Sequence, residues 1–359
     1  MRIAVIGAGA IGATHCQFIR QTPPFDLVAI ADPAETARNT ADAFGAKWFP
    51  NHTALLDASP IEGAIIAAPN ELHRTIALDC LRAGVPVLIE KPLAPTVSEA
   101  MDIATASEQS GVAVLVGHHR RHNPLVKRAK AMIDGGDLGR LVTANICYSM
   151  MKPDDYFRQV WRMSEGSGGP LLINAIHEVD LLRHLIGEVD SVAAFSSSTV
   201  RHFRVEDTAA VLFRFSNGAL AALTVSDTAS SPWSWDLTSG EVDRFPKHAV
   251  ASHRLVGTHG ALTLPEVDYW THAGERSWTT RMTARRIEVE PANPFVEQLR
   301  HFREVAAGMA IPLVGATEGT RNIAVMEAIT RACASERTEA VVFPDREAAA
   351  AAKLPLVGN

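Results

Sequence analysis

Through the first third of the chain, short uninterrupted apolar runs alternate with longer segments in which apolar positions recur every three or four residues. The first pattern suits strands buried on both faces, and the second suits one buried face of a helix. Strands are predicted over 3–6, 27–31, 64–68, 85–89 and 112–116. Between them Ile11, His15, Phe18 and Ile19 fall at helical spacing. The alanine-rich stretch 34–44 closes at Gly45, and 70–83 closes at Gly84, as helices ending on a left-handed residue do. Thr96-Val97-Ser98-Glu99 has the form of a capping box and opens a helix to about residue 110. Regular strand–helix alternation predicts a parallel, doubly wound α/β sheet.

Beyond Gly117 the pattern changes. Asn123-Pro124 reads as an N-cap with proline in the first helical position. A strand is predicted over 141–148 and a helix over 170–186, closed by Gly187. The runs 211–215 and 219–225 flank Ser216-Asn217-Gly218, a hairpin signal, and 254–256 and 261–264 flank a second glycine-bearing turn. Such pairing predicts a mainly antiparallel sheet. Helices over 294–307 and 317–334 are expected to pack on a sheet face, and the alanine-rich tail from residue 347 is read as one more. The division expected is 1–119 for the first domain and 120–359 for the second, with no internal repeat.

Composition narrows the class. The 359 residues carry a net charge of −6, with 47% hydrophobic and 21% charged. That excludes a disordered chain. No apolar run approaches the roughly 18 residues of a membrane span, and no basic block suggests nucleic acid, so neither partner is expected. Cys16, Cys80, Cys147 and Cys333 are spaced too widely for a CxxC metal or redox site. No metal is expected. The apolar start contains glycines at phosphate-loop spacing, so it is read as a strand and turn rather than a leader, and a cytoplasmic protein is expected.

Three motifs carry candidate chemistry. In Gly7-Ala8-Gly9-Ala10-Ile11-Gly12 the glycines permit a tight turn, close approach of a pyrophosphate, and close helix–strand packing. Asp32 lies 20 residues beyond Gly12, at the end of the second predicted strand. A carboxylate there accepts from both ribose hydroxyls and repels a 2′-phosphate, which favours NAD over NADP. Next, Glu90-Lys91-Pro92 ends a predicted central strand, where open α/β sheets bind ligands. Proline keeps Lys91 out of helical geometry and permits a cis bond. Position alone favours a solvated lysine; the functional reading is a donor to a reacting hydroxyl. Last, Gly168-Gly169 precede Asn174 and His177, which share a helix face at a spacing of three. An imidazole titrating near working pH suits proton transfer, although a lone helical histidine is more often structural. Asp180 is read as structural.

Gly7-x-Gly9-x-x-Gly12, Ala68-Pro69-Asn70-Glu71-Leu72-His73, Glu90-Lys91-Pro92 and Gly168-Gly169…His177 occur in an order and spacing that resembles the glucose–fructose oxidoreductase/inositol dehydrogenase family, Gfo/Idh/MocA, over nearly the whole chain. The resemblance implies a Rossmann domain, an α/β domain with a large open sheet, a nicotinamide cofactor, and hydride transfer at a carbinol carbon of a sugar, polyol or cyclitol. By position it makes Lys91 and His177 catalytic. Gly7, Gly9, Ala10, Ile11, Gly12, Asp32, Ala68, Pro69, Asn70, His73, Glu90 and Lys91 become the cofactor set. Many members carry an aspartate four residues before the histidine; here that position is Ile173.

Lys91, Arg162, Asn174 and His177 are the residues expected to bind substrate. Arg162 is preferred among Tyr156, Arg158, Trp161 and Arg162 because a guanidinium grips a carboxylate and a ring stacks on it. The stretch 118–123 is read equally as a polar connector or as a binding segment. The segment 230–248, with Trp233 and Trp235, is read as a substrate lip, a subunit contact or a packed loop. The expected activity is an NAD-dependent dehydrogenase acting on a small polyhydroxylated substrate, including hydroxylated acids, in a homodimer or homotetramer. A redox-neutral glycosidase or lyase with tightly held NAD, and a nucleotide sensor without turnover, stay open.

Overall fold

The computed structural model describes residues 1–58 and 60–343. In chain order the early elements are β1 (Arg2–Ile6), α1 (Ala10–Gln21), β2 (Asp26–Ala31), α2 (Ala37–Phe44), β3 (Lys47–Phe49), α3 (His52–Ala58), β4 (Gly63–Ile66), α4 (Asn70–Arg82), β5 (Val87–Ile89), α5 (Val97–Ser110) and β6 (Val114–Val116). Next come α6 (Pro124–Asp134), β7 (Leu141–Ser149), α7 (Ile176–Leu185), β8 (Val189–Ser197), β9 (Thr208–Phe215), β10 (Leu220–Ser226) and α8 (Trp235–Thr238). The rest are β11 (His253–Gly257), β12 (Gly260–Leu264), β13 (Asp268–His272), β14 (Met282–Arg286), α9 (Pro294–Ala306), α10 (Ala316–Ser335) and β15 (Glu339–Ala340).

The first sheet runs β3-β2-β1-β4-β5-β6, with every pair parallel. Its central strands are apolar throughout because both faces are covered. Ala4 and Ile6 enter one buried cluster, and Ile3 and Val5 enter another. The Thr96 hydroxyl accepts from the Glu99 amide at 3.2 Å, which caps α5. The Glu99 carboxylate meets the Thr96 hydroxyl at 3.0 Å.

The second sheet runs β14-β13-β12-β11-β7-β10-β9-β8-β15. Both predicted hairpins form, β9–β10 and β11–β12. One central pair, β7–β10, is parallel within this otherwise antiparallel sheet. Trp270, Ala261, Val256, Thr143, Leu220 and Arg214 pair in succession from β13 to β9, so they share one face. On that face Phe195, Leu212, Leu220 and Trp270 are exposed, while the alternate residues Val211, Phe213, Leu223 and Ile146 are buried.

The chain forms two compact units, Met1–Lys127 with Val289–Ile323, and Arg128–Glu288 with Ala324 onward. A single cut at residue 119 therefore differs from these units, because a late segment returns to the first. Leu299 and Phe302 of α9 join the cluster of Ile3 and Val5, and Val314, Ala316 and Ile323 join that of Ala4 and Ile6. The helix predicted over 170–186 is corrected: Leu171–Ala175 forms a π-helical turn, and α7 proper starts at Ile176. The helix expected from residue 347 lies outside the described residues. No helix among them is long and apolar enough to cross a membrane.

Candidate active site

In the first unit, β1 runs straight into the glycine turn. Gly7 has φ of 100°, and a Cβ there would lie 2.5 Å from the Ala67 carbonyl oxygen. A Cβ on Gly12 would lie 1.9 Å from the Gly7 carbonyl oxygen, whereas one on Gly9 would meet nothing within 4 Å. The outer glycines let the turn close. Gly9 keeps an open approach to the first-turn amides at Ala10 and Ile11, which no side chain caps. A dinucleotide pyrophosphate fits that cradle. Asp32 is tied to the same turn: its carboxylate accepts from the Ala8 amide at 2.7 Å and the Ala34 amide at 2.9 Å. An ionised carboxylate keeps further lone pairs for ribose hydroxyls.

Ala68 and Pro69 link β4 to α4, which Asn70 opens. His73 is fully buried, with its ring nitrogens 2.9 Å from the carbonyl oxygens of Ala68 and Pro92. Burial pushes its pKa below the usual imidazole value. It braces the loop after β4 against the loop after β5, which carries a cis Lys91–Pro92 peptide. Glu90 is buried, and its carboxylate lies 2.8 Å from His15 Nε2. Burial alone would raise the Glu90 pKa. The His15 hydrogen bond and the nearby charges of His15, Lys91 and His119 outweigh it and hold the group below the usual carboxylate range. An anion thus stands next to Lys91, whose backbone amide donates to it at 3.3 Å. Residues of the stretch 118–123 make contacts inside this unit. His119 stacks on Phe295 at 4.2 Å, Arg121 pairs with Glu318 at 2.9 Å, and Asn123 caps α6 through the Leu125 amide at 2.8 Å.

In the second unit, the glycine pair is demanded by packing. A Cβ on Gly168 would lie 2.4 Å from the Arg162 carbonyl oxygen, and one on Gly169, at φ 81°, would lie 2.4 Å from a Glu206 carboxylate oxygen. That carboxylate accepts from the Leu171 amide at 2.9 Å and so caps the π turn; burial pushes its pKa up. Such turns concentrate at functional sites, and this one presents Ile173 and Asn174. His177 is the second residue of α7 and is 8% exposed. Its neighbour Glu178 is fully buried and lies 2.6 Å from His253 Nε2 on β11; Ser252 Oγ lies 2.9 Å from the other ring nitrogen. This pair fixes the start of α7 to the sheet.

Asn174 sits within a polar chain that sequence reasoning missed. Lys152 Nζ donates to Asn174 Oδ1 at 2.5 Å, Asn174 Nδ2 donates to the Tyr148 hydroxyl at 2.8 Å, and Tyr148 donates to Asp236 at 2.6 Å. The Arg162 guanidinium lies 3.8 Å over the Tyr156 ring, and Lys152 Nζ lies 4.7 Å from the same ring. The structure thus brings Arg162, Asn174 and Tyr156 into one cluster. Arg158 instead forms an exposed pair with Asp155. Within 230–248, Trp235 is fully buried edge-on to His253, Trp233 is half-exposed, and Asp236 supplies the end of the polar chain. One local signal pointed to Lys152: lysine–proline just past a strand occurs there as it does at Lys91.

Comparison with known proteins agrees with this architecture. Residues 1–118 match the "Oxidoreductase family, NAD-binding Rossmann fold" and residues 126–263 match the "GFO/IDH/MocA C-terminal domain". The chain is 26% identical over 279 residues to 1,5-anhydro-D-fructose reductase of Ensifer adhaerens, covering 77% of this chain and 78% of that protein. It is 25% identical over 342 residues to scyllo-inositol 2-dehydrogenase (NAD(+)) of Bacillus subtilis, covering 92% and 93%. In fold it is similar to the WlbA dehydrogenase from Bordetella pertussis in complex with NADH and UDP-GlcNAcA, with a TM-score of 0.78 at 23% identity, covering 95% and 98%. With residues 1–118 and 126–263 both matched, and a glycine turn and parallel sheet built to receive a dinucleotide, the chain belongs to the Gfo/Idh/MocA family of oxidoreductases.

Proposed function

We propose that the chain is an NAD-dependent dehydrogenase acting on a carbinol carbon of a sugar, polyol, cyclitol or related hydroxylated acid. The strongest support is the turn of the first unit, where Gly9 stands open while Asp32 is held by the Ala8 amide at 2.7 Å. Gly7, Gly9, Ala10, Ile11 and Gly12 hold the pyrophosphate, and Asp32 binds the adenosine ribose and disfavours NADP. Ala68, Pro69, Asn70 and Glu90 border the nicotinamide half, and His73 holds their loops in place. Bound NAD supplies the hydride acceptor. Lys91 donates a hydrogen bond to the reacting hydroxyl and His177 accepts its proton; in reverse the two return a proton to a carbonyl oxygen. Arg162 and Asn174 orient substrate. The relatives named as a sugar reductase and an inositol dehydrogenase support a polyhydroxylated substrate. The exposed row through Trp270 and Leu220, with Leu212 and Phe195 on the same face, suits a homodimer or homotetramer. A reducing, cytoplasmic setting suits the free cysteines, of which Cys16 and Cys80 are pushed up to about 12 by burial.

The test is NADH formation, read by absorbance, across polyols, cyclitols, aldoses and sugar acids, with Lys91→Ala as control. Turnover that Lys91→Ala abolishes while NAD binding is kept is the expected result. Unchanged turnover in that variant removes Lys91 from the reaction.

A further inference from the structure

We propose that Trp48 is a positioning residue that sets the nucleotide preference: its indole holds the main chain of Asp32 and occupies the guanidinium of Arg38. This rests on the reading of Asp32 as the ribose ligand and deepens it. Asp32 is the first residue past β2, and the register of β2 with β3 ends at the pair Ala31 and Phe49. Every polar atom of Asp32 is nevertheless engaged. Its carboxylate oxygens accept from the Ala8 and Ala34 amides. Its own amide donates to the Phe49 carbonyl at 3.1 Å, and its carbonyl accepts from Trp48 Nε1 at 3.1 Å. The first two bonds aim the carboxylate, and the last two tie its backbone to β3. Successive strand residues face opposite ways. Phe49 is buried in the cluster of Ala4 and Ile6, while Trp48 packs against that of Ile3 and Val5. The apolar part of the indole is thereby anchored, and its one N–H serves Asp32.

Arg38, the second residue of α2, is exposed, and its guanidinium lies 4.0 Å over the same indole. That guanidinium makes no ion pair or hydrogen bond among the described residues. Arginine is always charged, and its fork matches phosphate oxygens. An arginine near the end of the second strand is what accommodates a 2′-phosphate in dinucleotide sites of this kind. One ring therefore joins the group that repels a 2′-phosphate to the group that would attract it. It fixes the first and holds the second aside. A cation–ring contact at an exposed position is weak, so Arg38 keeps this place only while the ring is there. Without the ring, the guanidinium is free to meet a 2′-phosphate or to neutralise Asp32, and either lowers the discrimination.

The test is equilibrium titration of the full chain with NADH and with NADPH, read by nucleotide fluorescence. The native protein is expected to bind NADH at least tenfold more tightly. Trp48→Leu removes both the N–H and the platform, and is expected to lower the NADH-to-NADPH affinity ratio at least fivefold. Arg38→Ala added to Trp48→Leu is expected to abolish any gain in NADPH affinity, while Arg38→Ala alone leaves NADH affinity within twofold of native. Trp48→Phe keeps a ring beneath Arg38 and loses only the N–H; its ratio is expected to fall about threefold. A smaller fall than fivefold in Trp48→Leu, equal weakening of both nucleotides, or an NADPH gain that survives Arg38→Ala would each overturn the proposal. Should Trp48→Leu fail to fold, Trp48→Phe decides alone, and an unchanged ratio overturns it. The native protein separates this from the reading beneath it. Native protein that binds neither nucleotide, or NADPH as tightly as NADH, fails the reading of Asp32 and the proposal with it. A native preference for NADH that Trp48→Leu leaves intact fails the role of Trp48 alone.

Discussion

His15 Nε2 lies 2.8 Å from Glu90 Oε1, joining the first helix after the glycine turn to the residue before Lys91. Both side chains are buried. Removing one member of a buried pair leaves the other charge or dipole uncompensated. His15→Leu is expected to cost about 3–5 kcal/mol of stability at pH 7, measured by urea denaturation. The pH dependence has a definite sign. In the native protein Glu90 is depressed, so its contribution is present above the unfolded carboxyl pKa of about 4.3 and is lost as pH falls through the lower folded value. Without His15, Glu90 loses the hydrogen bond and the charge that oppose its burial, so its pKa is expected to rise from the depressed native value. The gap between the two proteins is therefore expected to be widest at pH 7 and to shrink toward pH 4; a gap independent of pH would contradict the pairing.

The three turn glycines separate folding from cofactor binding. Gly12→Ala places a Cβ 1.9 Å from a backbone oxygen and is expected to lower Tm markedly. Gly9→Ala meets no protein atom within 4 Å. It should keep its Tm while weakening NADH binding tenfold or more, read by titrating nucleotide fluorescence. Unchanged NADH affinity in Gly9→Ala would place the phosphates elsewhere.

Asp32 both anchors the turn and reads the ribose in the proposed scheme. Asp32→Asn keeps an acceptor for one backbone amide but removes the charge that repels a 2′-phosphate. Its ratio of NAD to NADP affinity is expected to fall at least tenfold, with less structural damage than in Asp32→Ala. Calorimetric titration with both nucleotides decides it.

His301 offers a second pH signature. Its Nε2 accepts from the Leu313 amide at 3.0 Å, which requires that nitrogen to be unprotonated. Burial pushes its pKa down, with the Lys127 charge acting the same way and Glu304 opposing; the His122 ring faces it at 5.2 Å. The folded state thus binds this proton less readily than the unfolded chain, so stability is expected to fall as pH drops below about 6.5. His301→Gln, which keeps an acceptor and does not titrate, should match the native protein at pH 8 and lose less stability at pH 5.5.

What the sequence disclosed follows from how local each demand is. The glycine turn, Asp32, the strand before Lys91 and the capping box at Thr96 answer to neighbours within a few residues, so their pattern is legible. The contacts that shape the candidate site are not local. Lys152 and Asn174 are 22 residues apart, His15 and Glu90 75 apart, Glu178 and His253 75 apart, and Tyr148 and Asp236 88 apart. Strand β14 was missed because all of its residues are exposed and carry no alternation. Helix α9 was visible from its periodicity, but nothing in its own residues says which sheet it covers. The π turn was hidden because its composition is that of an ordinary apolar helix.

The return of α9 to the first unit bears on how the protein is made. Phe302 lies against Gly63, 3.1 Å from where a Cβ would stand, and with Leu299 it completes the cluster that covers one face of the parallel sheet. A ribosome adding about 5–20 residues per second releases β1 roughly 15–60 s before α9. Throughout that interval Ile3, Val5 and Ile19 lack part of their cover. The nucleotide-binding unit is thus among the first regions synthesised and among the last to be sealed, and it is during this delay that a nascent chain is most exposed to chaperones and to wrong partners.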